Sequence, residues 1–208
     1  MVNYWSFDFH IKDIIGGAHL FNGKKAGLAE DRFGRTLSAL NLNEGFYQIP
    51  PGNYFQFGQF TITVWVKLRN FGNWPSILTS TNGVHSDSVI FRFNLASSRP
   101  EFVIFNGNNL IVSPISILSI QLNVWTHLAV TFDQLFNTMV YVDANLTRLR
   151  VGIISLKNTT RLFNYLGRGD NYPTEPDLNG TIDELKIFNR ALSQQEIQFE
   201  MNNNNNIY

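Results

Sequence analysis

Phe60, Ile62, Val64, Val66 and Leu68 alternate with Thr61, Thr63, Trp65 and Lys67. On an extended chain successive side chains point to opposite faces, so this run predicts a strand with one apolar and one polar face. Trp65 falls among the polar positions, which predicts that another layer or loop partly covers that face. Shorter apolar runs at 76–81, 88–94, 101–106 and 109–112 read as further strands. Turn residues separate them, at Asn82-Gly83, Ser97 to Pro100 and Asn106 to Asn109. Residues 125–133 and 138–143 predict a hairpin, followed by a strand over about 146–153. A first strand is expected over 2–7.

Residues 9–34 lack periodicity and read as a long loop, of the kind that is functional or pinned by something. Asn43-Glu44-Gly45 separates two short apolar runs, 38–42 and 46–49, and predicts a hairpin turn. Near the C-terminus, the stretch 179–193 reads as a late strand closing a sheet, then a tight turn leading into a short helix. Ser193-Gln194-Gln195-Glu196 then has the form of a capping box, with Leu192 placed to staple onto Ile197. The resulting expectation is an all-β antiparallel domain over 1–201, with one short C-terminal helix. The Asn-rich tail, 202–208, has nothing to bury and is expected to be disordered.

Composition narrows the function classes. The chain has 208 residues, enough for one sandwich-sized core, and its 16 basic and 16 acidic residues cancel. With no basic cluster, a nucleic-acid partner has no electrostatic support. No apolar run is long enough to span a bilayer. There are no cysteines, hence no disulfide framework and no thiolate chemistry. The first residues lack the form of a signal peptide, so the chain is expected to be either intracellular or one domain of a larger protein. Asn-x-Thr sequons at Asn145, Asn158 and Asn179 bear on the chain only in a secretory setting.

Three stretches together resemble the concanavalin A-like, laminin-G/pentraxin-type jelly-roll domains. They are Trp125 to Asp133 with Val140 to Asp143; Leu166-Gly167-Arg168; and Leu178 to Ser193, which contains Gly180-Thr181-Ile182-Asp183-Glu184-Leu185-Lys186-Ile187. Tyr4 to Asp8, Asp13 with Gly16, and Phe60 to Val66 fit the same order. The resemblance implies a two-sheet jelly roll with binding loops at one rim. It further implies a non-catalytic adhesion or binding role outside the cell or on its surface, as part of a larger protein. A structural calcium ion is implied as well, with carboxylates from Asp13 and Asp183 and carbonyls near Gly16 and His19, a donor set of the kind Ca²⁺ takes. The alternative puts Asp183 against an arginine or at a turn and leaves Asp13 in solvent.

Candidate ligand contacts are Asn73 and Trp74 in one loop and Asp170, Asn171 and Tyr172 in another, an aromatic beside amide or carboxylate groups in each. Trp74 can also serve as cover for a sheet edge, the role favoured by the usual burial of Trp. The histidines, His10, His19, His85 and His127, show no zinc-ligand spacing. Alternation places Asp183 and Glu184 on opposite faces of their strand, which excludes them as a glycosidase pair. Arg168-Gly169-Asp170 is an adhesion tripeptide only if exposed. A calcium-stabilised glycan-binding module leads, ahead of a protein-interaction or structural domain without a sugar site and, more distantly, a glycosidase.

Overall fold

A computed structural model describes residues 1–95, 97–152, 156–171 and 173–203. Its strands are β1 (Asn3–Trp5), β2 (Phe21–Ala29), β3 (Ala39–Ile49), β4 (Phe60–Leu68), β5 (Ser76–Thr81), β6 (Val89–Phe93), β7 (Pro100–Asn106), β8 (Asn109–Val112), β9 (Thr126–Phe132), β10 (Thr138–Val142), β11 (Asn145–Arg150), β12 (Phe163–Leu166) and β13 (Leu178–Phe188), followed by helix α1 (Gln194–Asn202). They pair along one path, β11-β10-β9-β4-β13-β3-β12-β5-β6-β7-β8, with β1 on β13 and β2 on β3. The named strands pair antiparallel throughout. The path curls: Phe60 on β4 stacks on Phe132 of adjacent β9 at 5.5 Å and also meets Phe102 of distant β7 at 5.8 Å.

The alternation in β4 holds. Phe60, Ile62, Val64, Val66 and Leu68 enter one apolar core with Leu128, Val130, Phe91 and Phe102. A second, smaller cluster lies on the opposite face of β9 and β13, where Ala129, Tyr141 and Phe188 meet Leu192 and Ile197 of the helical segment. The capping box forms, with Glu196 N–H donating to Ser193 Oγ at 3.3 Å and Ser193 N–H to Glu196 Oε2 at 2.8 Å. Thr61 Oγ1 donates to Arg190 O and accepts from Leu192 N–H, tying the helix lead-in to β4.

Two expectations fail. Residues 43–45 do not turn a hairpin; β3 runs straight through them. Glu44 takes a positive φ of 50°, and a Cβ on Gly45 would strike the carbonyls of Lys24 and Lys25. The glycine admits β2 to close range, where turn chemistry alone predicts a reversal. Nor is 9–34 loop throughout, because β2 occupies 21–29 as an exposed edge strand on β3. Its sequence carries no alternation because neither face is fully buried. The strand expected over 146–153 spans 145–150, and Ile153 lies outside the described residues, as do 204–208 of the tail.

Candidate functional site

An aromatic concavity is built on the polar face of β4. Trp65 stands between Asp183 of β13 and His127 of β9 in register, so the three side chains form one row. The loop before β3 is folded by Asp31, whose carboxylate accepts from the N–H groups of Phe33 and Arg35 (both 2.8 Å) and from Arg35 Nε (2.6 Å). This turn carries Arg32 inward. Its guanidinium lies 4.4 Å from the Phe33 ring and 4.9 Å from the Trp65 ring, and its Nη1 makes a buried ion pair with Asp183 Oδ2.

The result is a cleft of about 430 Å³ lined by Arg32, Phe33, Trp65, Trp125, Met201 and Asn202. That volume lies within the ~300–1,000 Å³ of small-ligand sites, which combine apolar and aromatic walls with a few fixed polar groups. Phe33 is 51% exposed. Trp125 faces the cleft from the residue before β9, with Lys67 Nζ 5.1 Å from its ring. The end of α1 supplies Met201 and Asn202. The only signal in the sequence for this site was Trp65 on a polar face. Arg32, Phe33 and Trp125 come from segments that only the tertiary fold joins.

Beneath the cleft lie buried ionisable groups, of which Asp183 Oδ1 and His127 Nδ1 have no hydrogen-bond partner among the described residues. Burial pushes the Asp183 carboxyl up, to about 8, while Arg32 pulls it down. A guanidinium does not give up its proton, so the positive charge of this pair is fixed. His127 is buried and held neutral, pushed down to about 3 by burial and by the charges of Lys186 and Arg32. The strand alternation expected at Asp183-Glu184 is broken by a register shift between Asp183 and Lys186, with Glu184 at φ 52°. Leu185 goes to the core. Glu184 therefore does not take the core face: it accepts from Tyr4 Oη at 2.9 and 2.8 Å and pairs with Lys186 Nζ at 3.2 Å.

Among the described residues no hydrogen bond or ion pair joins Asp13 to Asp183, the two carboxylates expected to hold calcium; Asp13 contacts only Gly16 of the expected set. Asp13 is buried and accepts from Asn3 Nδ2 and from the N–H groups of Tyr4, Ile15, Gly16 and Ala18, at 2.7–3.1 Å. Burial raises its carboxyl, but these donors outweigh the burial and hold it below the ordinary value. Gly16 is needed because a Cβ there would strike the Asn3 amide. His19 is exposed, and its N–H turns back to Gly17 O. N–H groups crowd Asp13, and a guanidinium holds Asp183 Oδ2, leaving Oδ1 as the one oxygen of the two carboxylates without a partner among the described residues, so the set does not fit a cation that needs six to eight oxygens. The Asp13 cage itself holds the N-terminal loop.

The two loops expected to bind ligand approach each other through an ionic bridge. Arg92 lies 4.1 Å from the Trp74 ring and reaches Glu175 Oε1 at 3.3 Å, and Glu175 N–H donates to Asn171 O. Trp74 is thus half-buried against the Arg92 guanidinium of β6, and Asn73 is exposed. Asp170 is turned inward, accepting from His85 N–H at 2.7 Å and Ser88 Oγ at 3.0 Å. Tyr172 lies outside the described residues. The tripeptide Arg168-Gly169-Asp170 is not displayed: Arg168 makes two 2.7 Å bonds to Asp177 and lies over the Phe46 ring.

The chain belongs to the concanavalin A-like lectin/glucanases superfamily, whose laminin-G-type model matches residues 42–198. No curated protein sequence matches it. Among solved structures it is similar to domain 4 of AbnA, a GH43 extracellular arabinanase from Geobacillus stearothermophilus, in complex with arabinotriose. The identity is 18% and the TM-score 0.73, over 96% of this chain and 97% of that one. It is also similar to the botulinum neurotoxin type C chain from a study of cell entry through two ganglioside molecules, at 14% identity and TM-score 0.71 over 97% of this chain and 50% of that one. The binding domain of Paraclostridial Mosquitocidal Protein 1 gives 14% and 0.70, over 92% and 49%. The chain thus spans about half the length of each toxin chain. These likenesses establish the fold.

Proposed function

We propose that this chain is a non-catalytic, lectin-like module that binds glycan in the cleft of Arg32, Phe33, Trp65 and Trp125. The observation that carries this reading is the convergence of three aromatic rings and a fixed guanidinium in one open concavity. Sugars present C–H faces that pack on aromatic rings and hydroxyls that accept from N–H donors. Rigid aromatics with one oriented charge suit such a ligand. That one similar domain holds arabinotriose and that a similar toxin chain uses gangliosides supports the same ligand class. The contact of Phe60 with Phe102 supports reading the curled strand path as the two stacked sheets of a jelly roll.

The acids near the cleft favour binding over hydrolysis. Asp183 is engaged by Arg32, and Glu184 by Tyr4 and Lys186, so neither stands ready as a general acid facing a free carboxylate. The reading needs no calcium at Asp13 and Asp183. It suits an extracellular or cell-surface protein, where glycans are displayed. A glycan array tests it. Binding to a defined set of oligosaccharides that falls at least tenfold in Trp125→Ala is expected, and silence across the array from folded protein overturns it.

A further inference from the structure

Away from the aromatic cleft, the loop before β6 meets the loop after β12. His85 Nε2, Asp170 and Glu175 each offer a ligand atom there, and the three atoms lie within 4.8 Å of one another. The neighbourhood is short of positive charge. Arg92 is shared between Glu101, at 3.0 Å, and Glu175, at 3.3 Å. Among the described residues the Asp170 carboxylate accepts from neutral donors and has an imidazole at 3.9 Å. Glu101 and Glu175 thus share one guanidinium, and Asp170 adds a third carboxylate beside Glu175.

Two oxygens record the deficit. Asp170 Oδ1, on a side chain with no exposed surface, and Glu175 Oε2, on one 6% exposed, are buried with no hydrogen-bond partner among the described residues. A buried carboxylate oxygen without a partner is costly, and here two of them share one cluster. Gly169 makes room for the second, since a Cβ at that position would collide with Glu175 Oε2. The His85 ring is held by parallel stacking on Phe105, with centroids 4.6 Å apart, and its half-exposed side chain gives solvent a route to the cluster.

We infer that His85, Asp170 and Glu175, whose ligand atoms lie within 4.8 Å of one another, can close on a divalent first-row transition cation of the zinc type. One imidazole nitrogen and two carboxylate oxygens suit such an ion better than calcium, which takes an all-oxygen shell. Atoms mutually within 4.8 Å share a point ~2.8 Å from each, so side-chain adjustments of under ~1 Å reach the ~2.0–2.2 Å of zinc bonds. Three protein ligands leave a coordination position open to solvent or to a ligand group. The spacing of the histidines in the sequence did not suggest zinc, because the fold brings residue 85 to residues 170 and 175.

The test is calorimetric titration of metal-free, untagged protein with Zn²⁺, and with Ca²⁺ in parallel. One zinc per chain is expected, with a rise in melting temperature. His85→Ala should weaken binding at least tenfold with an unchanged far-UV spectrum, and Glu175→Gln should do likewise. A double variant of the exposed His10 and His19 should bind as the wild type does. Zinc bound equally well by His85→Ala, no saturable binding, or saturable binding of calcium alone overturns the assignment.

Discussion

Arg32 and Asp183 form a buried ion pair across 151 residues of sequence. The pair fastens the loop before β3 to β13 and holds the guanidinium beside Trp65 and Phe33. It therefore joins the stability of the closing strand to the shape of the cleft. Removing Asp183 strands the Arg32 guanidinium as an uncompensated buried charge, which costs about 3–5 kcal/mol. Asp183→Ala is expected to lose that much in urea denaturation at pH 7, and Arg32→Ala less, because the carboxyl left behind takes up a proton, while Arg32→Met with Asp183→Leu recovers a large part of the loss. Single variants within about 1 kcal/mol of the wild type would mean that the pair does not hold the loop.

His127 predicts an acid-side loss of stability. Its pKa falls from 6.5 to about 3 in the folded chain, so the unfolded state binds a proton that the folded state refuses. Stability then falls as pH drops from about 6.5 toward about 3, by up to ~1.4 kcal/mol per unit from this group alone. His127→Gln should flatten the dependence by one proton across that window, measured as urea midpoints from pH 7 to 4. Parallel wild-type and variant curves would contradict the burial of a neutral imidazole.

Asp13 is held by N–H donors, so adding calcium to metal-free protein is expected to leave the melting temperature unchanged. Asp13→Ala should lower stability by several kcal/mol with or without calcium, because it strands buried donors at ~1–3 kcal/mol each. A calcium-dependent rise in melting temperature that Asp13→Ala removes would restore the calcium site implied by the family resemblance.

Gly45 admits the backbone of β2 against β3. Gly45→Ala is expected to cost ~1–3 kcal/mol through steric overlap and to raise amide exchange in β2 more than in β4. Uniform exchange across both strands would show that the close approach is not what seats β2.

How much of this was legible depended on whether a local pattern had a local cause. β4 and the capped helix were read correctly because alternation and a capping box arise within a few residues. Gly45 misled, because a glycine that admits a neighbouring strand looks the same in sequence as one that turns a hairpin. β2 was missed because an exposed edge strand is made by its partner's ladder, with no pattern of its own. Asp183 was singled out as a calcium ligand, whereas its ion-pair partner, Arg32, lies 151 residues earlier in a stretch with no periodicity. Trp65 on a polar face announced a covered surface but could not name Phe33 or Trp125 as its companions.

The central claim is that glycan enters beside Trp65 and Trp125. The chain has four tryptophans, whose indole N–H signals can be followed separately by NMR during titration with an oligosaccharide chosen from the array. Trp5 is buried with its Nε1–H bonded to Ala18 O at 2.9 Å, and Trp74 lies over Arg92. The prediction is saturable movement of the Trp65 and Trp125 signals, with Trp5 and Trp74 fixed. Movement of Trp74 with Trp65 and Trp125 unmoved would contradict the account and place the sugar at the other loops.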